Sequence, residues 1–139
     1  MRHWFAGLVE GLETIDGQAR DAVLCACGQA CARSYTGQVF RAAWQASDGM
    51  ASFLAQLAVE FPEAAYKELD ANTIEVRYAH CACDLVQNGW INSPVLCQCS
   101  AHNLRVNFEQ AIGKPAAVTL QSSILDGAAN CVFRVMLEE

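Results

Sequence analysis

Two Cys-X-Cys motifs, Cys81-Ala82-Cys83 and Cys97-Gln98-Cys99, are the residues of this sequence best suited to chemistry. A lone free cysteine is usually a small buried side chain. Two close pairs on either side of one loop are poorly explained that way, and four thiols turned toward one point make a soft-metal site or a redox centre. Crowded thiolates repel one another, a cation relieves that repulsion, and a helix N-terminus lowers thiol pKa values. Zinc held by four thiolates would be tetrahedral with Zn–S near ~2.3 Å. Soft thiolates also select Cu(I) or an iron–sulfur cluster, so zinc is the first expectation and iron–sulfur the alternative. Closely spaced thiols can also serve as nucleophile and resolving partner of a reversible disulfide.

Four further cysteines are present, for eight in all. Cys27 and Cys31 in Cys25-Ala26-Cys27-Gly28-Gln29-Ala30-Cys31 are four apart and would share one face of a helix, which makes them the next ligand candidates. Cys25 projects elsewhere, and Cys131 opens an alternating apolar run, so both are read as core. His80 adjoins the first pair and His102 follows the second by three residues, and either suits a mixed ligand set or proton transfer. Asp84 and Glu109 are the carboxylates nearest the motifs and read as surface residues, as does His3.

The elements that must position these groups follow from periodicity. Phe5, Leu8, Val9, Leu12 and Ile15, continuing through Ala22, Val23 and Ala26, recur at helical spacing, giving one long or broken helix to about Ser34. Val39, Phe40, Ala43, Trp44, Phe53, Leu54, Leu57 and Phe61 give two more, parted by the capping residues Ser47-Asp48-Gly49. Pro62 suits the first turn of a short helix over 63–69. From Thr73 to Tyr78 the period becomes two, in a strand facing the core with Ile74, Val76 and Tyr78 and leading directly into His80-Cys81. A helix over 103–112 ends at Gly113, and the runs 117–125 and 131–137 flank a turn at Asp126-Gly127. The expected fold is α+β: N-terminal helices on an antiparallel sheet of at least three strands, with one further helix between strands. It is a single domain over 1–139, helical over residues 1–70 and α+β over residues 71–139, where the Cys-X-Cys motifs lie.

Composition narrows the function. The hydrophobic fraction of 53% against 17% charged residues marks a globular chain rather than a disordered one. A net charge of −6 with nine scattered Lys and Arg argues against nucleic acid. No apolar stretch approaches the ~20 residues of a membrane span, and the start lacks a signal-peptide pattern, so a cytoplasmic location is expected. In a reducing compartment cysteines serve metal binding or catalysis rather than structural disulfides.

The motifs together resemble a family. Cys27-Gly28-Gln29-Ala30-Cys31-Ala32, then Tyr78-Ala79-His80-Cys81-Ala82-Cys83-Asp84-Leu85-Val86, then Ser93-Pro94 ahead of Cys97-Gln98-Cys99-Ser100, and Ser123-Ile124-Leu125-Asp126-Gly127 ahead of Cys131-Val132-Phe133-Arg134-Val135, follow in order over about residues 27 to 135. This pattern resembles small cysteine-rich proteins of the L-2-amino-thiazoline-4-carboxylic acid hydrolase-like group. Its C-terminal half is similar to vinyl-reductase-type small-molecule-binding domains. The resemblance implies an α+β domain that binds a small molecule, often with a cysteine-held metal. The Glu and Cys that hold zinc in the vinyl-reductase-type sensors are replaced by Leu120-Gln121 and Ser123, so a metal here would have to use the Cys-X-Cys pairs.

The reading that results is a metal-thiolate domain that binds a small molecule, with Cys81, Cys83, Cys97 and Cys99 as ligands. One alternative is a hydrolase of a small cyclic C–N substrate with His80 or His102 moving protons. A thiol-redox or ligand-sensing module whose apolar helices form a homodimer is another.

Overall fold

The structure is a computed structural model and describes all of residues 1–139. Its N-terminal half is helical: α1 (Arg2–Thr14), α2 (Gly17–Cys31), a π-helical turn (Ala32–Thr36), α3 (Gly37–Gln45) and α4 (Met50–Glu60). The sheet begins with β1 (Ala64–Asp70) and β2 (Thr73–Tyr78). The short α5 (Asp84–Gln87) and the long α6 (Leu96–Ile112) follow, and β3 (Ala116–Ser122) and β4 (Cys131–Leu137) complete the sheet. The strands are antiparallel in the order β1-β2-β4-β3. The fold is therefore α+β, with helices packed on a four-stranded antiparallel sheet.

The break in the first helical region falls at Ile15-Asp16, where the Asp16 side chain accepts the Ala19 N–H at 2.9 Å and starts α2. The expected helix over 63–69 is instead β1, so the N-terminal helical region ends at Glu60. Ala, Lys, Glu and Leu in this segment favour a helix in isolation, but Tyr66 lies opposite Val76 and Ala64 opposite Tyr78. That pairing buries Ala64 and occupies the edge of β2, and tertiary pairing outweighs a weak local propensity. The helix expected over 103–112 starts earlier, at Leu96, and ends as anticipated at Gly113, which takes φ 80°.

One core joins the two halves. Phe108 of α6 meets Phe40 of α3 edge to face at 5.3 Å and Phe53 of α4 at 6.0 Å, above Ile74, Val76, Phe133 and Val135 of the sheet. A smaller cluster of Leu12, Leu24 and Val95, with Val9 and Cys99 against it, fastens α1 and α2 to the start of α6. No helix is long and apolar enough to cross a membrane.

Candidate functional site

The site is built where α2 crosses α6. A Cβ on Gly28 would lie 2.7 Å from the carbonyl oxygen of Cys99, 2.8 Å from the Asn103 nitrogen and 2.8 Å from the His102 Cβ, so only glycine allows this approach. Asn103 Nδ2 donates to the Gly28 carbonyl and to Thr36 Oγ1, and the buried Asn107 joins the same network through Thr36. The helices are thus held face to face at the point where Cys27 and Cys31 flank Gly28.

The first Cys-X-Cys leaves the end of β2, where Tyr78 sits opposite Cys131. Cys83 precedes α5, and its carbonyl accepts the N–H groups of Val86 and Gln87, while Gln87 Nε2 donates to the Cys81 carbonyl at 3.0 Å. The backbone of 81–83 is therefore pinned by the short helix that follows. The second Cys-X-Cys lies in the first turn of α6, with Cys97 N–H donating to the Pro94 carbonyl at 3.0 Å. Two residues along a helix project about 200° apart, so Cys97 and Cys99 look in different directions.

The second pair accordingly splits between two sulfur groups. Burial pushes the Cys99 thiol up to about 12, and the neighbouring charges of Cys31, Cys27 and Cys83 add to it. Cys31 is also raised, first by burial and then by Cys83, Cys27 and Asp84. Cys27, Cys31, Cys83 and Cys99 thus share one electrostatic neighbourhood. Cys97 and Cys81 lie toward Cys131: burial raises both thiols, the charges of Cys83 and then Cys131 add to Cys81, and those of Cys131 and then Cys81 add to Cys97, so Cys83 stands between the two groups. Both thiols in the first turn of α6, Cys97 and Cys99, are raised rather than lowered, burial being the largest cause for each.

Ser123 orders the inner group. It is 2% exposed, its Oγ lies 2.9 Å from Cys97 Sγ, and it accepts the Leu125 N–H. The next residue, Ile124, donates its N–H to Cys131 Sγ at 3.3 Å. Cys131 is buried, as the sequence suggests, yet its sulfur also accepts a hydrogen bond beside Cys97. Cys25 departs from the core reading: it is half-buried and faces Arg105, whose Nη2 is 3.5 Å from its sulfur.

The histidines stand outside both sulfur groups. His80 is exposed. His102 Nε2 lies 2.8 Å from Asp21 Oδ1, and the pair lines a cleft of about 210 Å³ with Gln98, Arg105, Val118 and Leu120. Arg105 is held by Glu109 at 2.6 Å, and Glu109 also accepts the Ala116 N–H, so Glu109 positions Arg105 rather than lying free on the surface. Across the whole chain, no three His, Cys, Asp or Glu side chains converge into a set that could hold a metal ion.

Sequence reasoning named the thiols but not Gly28, Ser123, Asp21 or Arg105. A lone glycine inside an Ala- and Cys-rich helix was the one signal for the first. The others show only when α2, α6 and the 123–131 turn are brought together.

No protein family's sequence profile matches the chain, and no curated protein matches it. Solved structures do share its fold. The phenol-responsive sensory domain of the transcription activator PoxR, solved with phenol, superposes with a TM-score of 0.64 at 13% identity, covering 98% of this chain and 73% of that one. Trafficking protein particle complex subunit 3 from Naegleria fowleri, covalently bound to palmitic acid, gives 0.63 at 13% identity, covering 99% and 93%. The SO2144 H-NOX domain from Shewanella oneidensis in the Fe(II)CO ligation state gives 0.51 at 18% identity, covering 86% and 66%. At these identities the likeness is one of fold.

Proposed function

We propose that this chain is a small-ligand-binding module in which the sulfur group of Cys27, Cys31, Cys83 and Cys99 takes up a soft metal cation, zinc in the first place. The observation that carries the reading is the close crossing at Gly28, which sets Cys27 and Cys31 of α2 against Cys99 of α6, with Cys83 adding its charge to the raised thiols of Cys31 and Cys99. Desolvation and repulsion disfavour the thiolates of Cys31 and Cys99, and a cation offsets both. Closing the set asks the cation to draw the sulfurs together, because they do not converge on their own. Protons and cation compete for the same sulfurs, so uptake strengthens as pH rises. The small-ligand reading is supported by the shared fold, since the matching domains are described with phenol, palmitic acid and a carbon-monoxide-ligated iron.

Elemental analysis with an absorption spectrum, on protein purified with and without air, tests this. About one colourless equivalent of zinc supports the reading, while visible charge-transfer bands would replace zinc by an iron–sulfur cluster. Absence of any metal with eight titratable thiols would overturn it. Cys31→Ser and Cys99→Ser should each abolish retention, whereas equal loss with Cys81→Ser and Cys97→Ser would restore the set of Cys81, Cys83, Cys97 and Cys99.

A hydrolase of a small cyclic C–N substrate is the second reading, favoured by the orientation of His102 by Asp21 inside the cleft. A carboxylate bonded to one ring nitrogen fixes the imidazole for proton transfer at the other. Turnover of 2-amino-thiazoline-4-carboxylate that is lost in His102→Ala would establish it, and no turnover at any pH would remove it.

A further inference from the structure

The cleft that holds the Asp21–His102 pair brings two opposite charges within reach of one small molecule. Asp21 and Cys25 are four apart on α2, so they share a face and stand about 6 Å apart along the helix axis. His102 Nε2 meets Asp21 Oδ1 at 2.8 Å, and Arg105 Nη2 meets Cys25 Sγ at 3.5 Å. A carboxylate and a guanidinium therefore line the cleft about one helical turn apart. Neither is used up by its neighbours. Asp21 gives one oxygen to His102 and is 57% exposed, so its second oxygen is open. Glu109 takes Arg105 Nη1, and Cys25 makes only a long contact, which leaves further N–H groups of the fork for a ligand. Glu109 also accepts the Ala116 N–H at 3.3 Å, so the guanidinium is held in place before any ligand arrives. Val118 and Leu120 alternate along β3 and present one face, and with Ala101 of α6 they supply the apolar part of the lining. At about 210 Å³ the cleft is smaller than the ~300 Å³ at which pockets for drug-sized ligands begin, so its occupant is small.

We propose that this cleft binds a free aliphatic α-amino acid of about the size of leucine, with its carboxylate on Arg105, its ammonium on Asp21 and its side chain against Val118 and Leu120. The proposal rests on the small-ligand reading above, and on neither the metal nor the hydrolase. An ammonium and a carboxylate carried on one carbon span a gap of one helical turn through a charged hydrogen bond of about 2.8 Å at each end. Charge selects the zwitterion. One guanidinium stands against two carboxylates, Asp21 and Glu109, so the cleft is short of a positive charge and a ligand that brings a carboxylate alone is opposed. An amine alone would leave the free N–H groups of Arg105 without a partner. An open cleft makes few contacts with so small a ligand, which sets the expected Kd at about 0.1–1 mM.

Titration of the nitrogen-15-labelled full chain with L-leucine, followed by amide chemical shifts, tests the site. Saturable shifts should gather around residues 21, 98–105 and 118–120. Two truncated probes dissect the head group on the unaltered chain: 4-methylpentanoate lacks the ammonium and isopentylamine lacks the carboxylate, and each should bind about tenfold more weakly or worse. Asp21→Asn and Arg105→Gln should raise the Kd for leucine by a similar factor. Silence toward leucine overturns the proposal, as do shifts that gather elsewhere on the chain. A truncated probe that binds as tightly as leucine overturns it too, because the contact it lacks would then not exist. Phenol titrated in parallel separates this failure from a wider one: a chain that ignores leucine but binds phenol keeps the small-ligand reading and loses the amino acid.

Discussion

The α carbon of Gly28 and the carbonyl oxygen of Cys99 stand so close that an added Cβ would lie 2.7 Å from that oxygen, which makes a hydrogen atom at position 28 the condition for the sulfur group to assemble. The obstacle would be backbone rather than a flexible side-chain end. Gly28→Ala must therefore part α2 from α6, and it should cost about 1–3 kcal/mol in urea unfolding, the range for overpacking a closed contact. Separation of the helices should also speed alkylation of Cys99. Unchanged stability and reactivity would mean that the helices do not cross this closely.

Ser123 is expected to matter through its bond to Cys97 Sγ. It is buried, accepts the Leu125 N–H and is hydrogen-bonded to Cys97 Sγ. Ser123→Ala removes both bonds at once and strands the Leu125 donor, a loss of about 1–3 kcal/mol. Cys97 should then react faster with iodoacetamide in a native-state mapping experiment, as its turn loosens. If only stability falls and the reactivity of Cys97 is unmoved, the hydroxyl serves the turn at 123–127 and not the thiol.

Phe108 should be among the costliest positions to truncate. It is fully buried and touches Phe40 and Phe53, so it ties α6 to α3 and α4. Phe108→Ala is expected to destabilise by about 3–5 kcal/mol. A loss nearer that of a surface change, measured by chemical denaturation, would place the core elsewhere.

The elements legible in the sequence were those that a local period specifies. The alternation of Thr73–Tyr78 and Cys131–Leu137 yielded β2 and β4, and Gly113 marked the end of α6. β1 was not legible, because Ala64–Asp70 has helix-forming composition and becomes a strand only by pairing with β2. The π-helical turn at Ala32–Thr36 has no local signature either; it places Thr36 in the network with Asn103 and Asn107 and brings Gly37 against the Ala32 carbonyl. The same limit governs the thiols. Their types and spacing identified them, but the start of α6 at Leu96, seven residues before the expected helix, put Cys97 and Cys99 on different sides.

Alkaline titration supplies a further test that is independent of any metal. Burial raises the Tyr78 hydroxyl well above its ordinary value, helped by the charges of Glu63 and Cys131, and burial likewise raises Tyr66, helped by Tyr78 and Glu63. An unfolded tyrosine ionises near ~10, so above that pH the unfolded chain sheds protons that the folded chain retains. Stability from these two groups is therefore fully present below pH ~10 and is lost as pH climbs toward the folded-state values. Tyrosinate absorbance should show two of the three tyrosines silent until the chain unfolds, then ionising together with the loss of circular dichroism. Tyr66→Phe and Tyr78→Phe keep the ring and remove the proton, so each should move the alkaline unfolding midpoint to higher pH. Smooth ionisation of all three tyrosines before any loss of structure would show that Tyr66 and Tyr78 are not packed against the core.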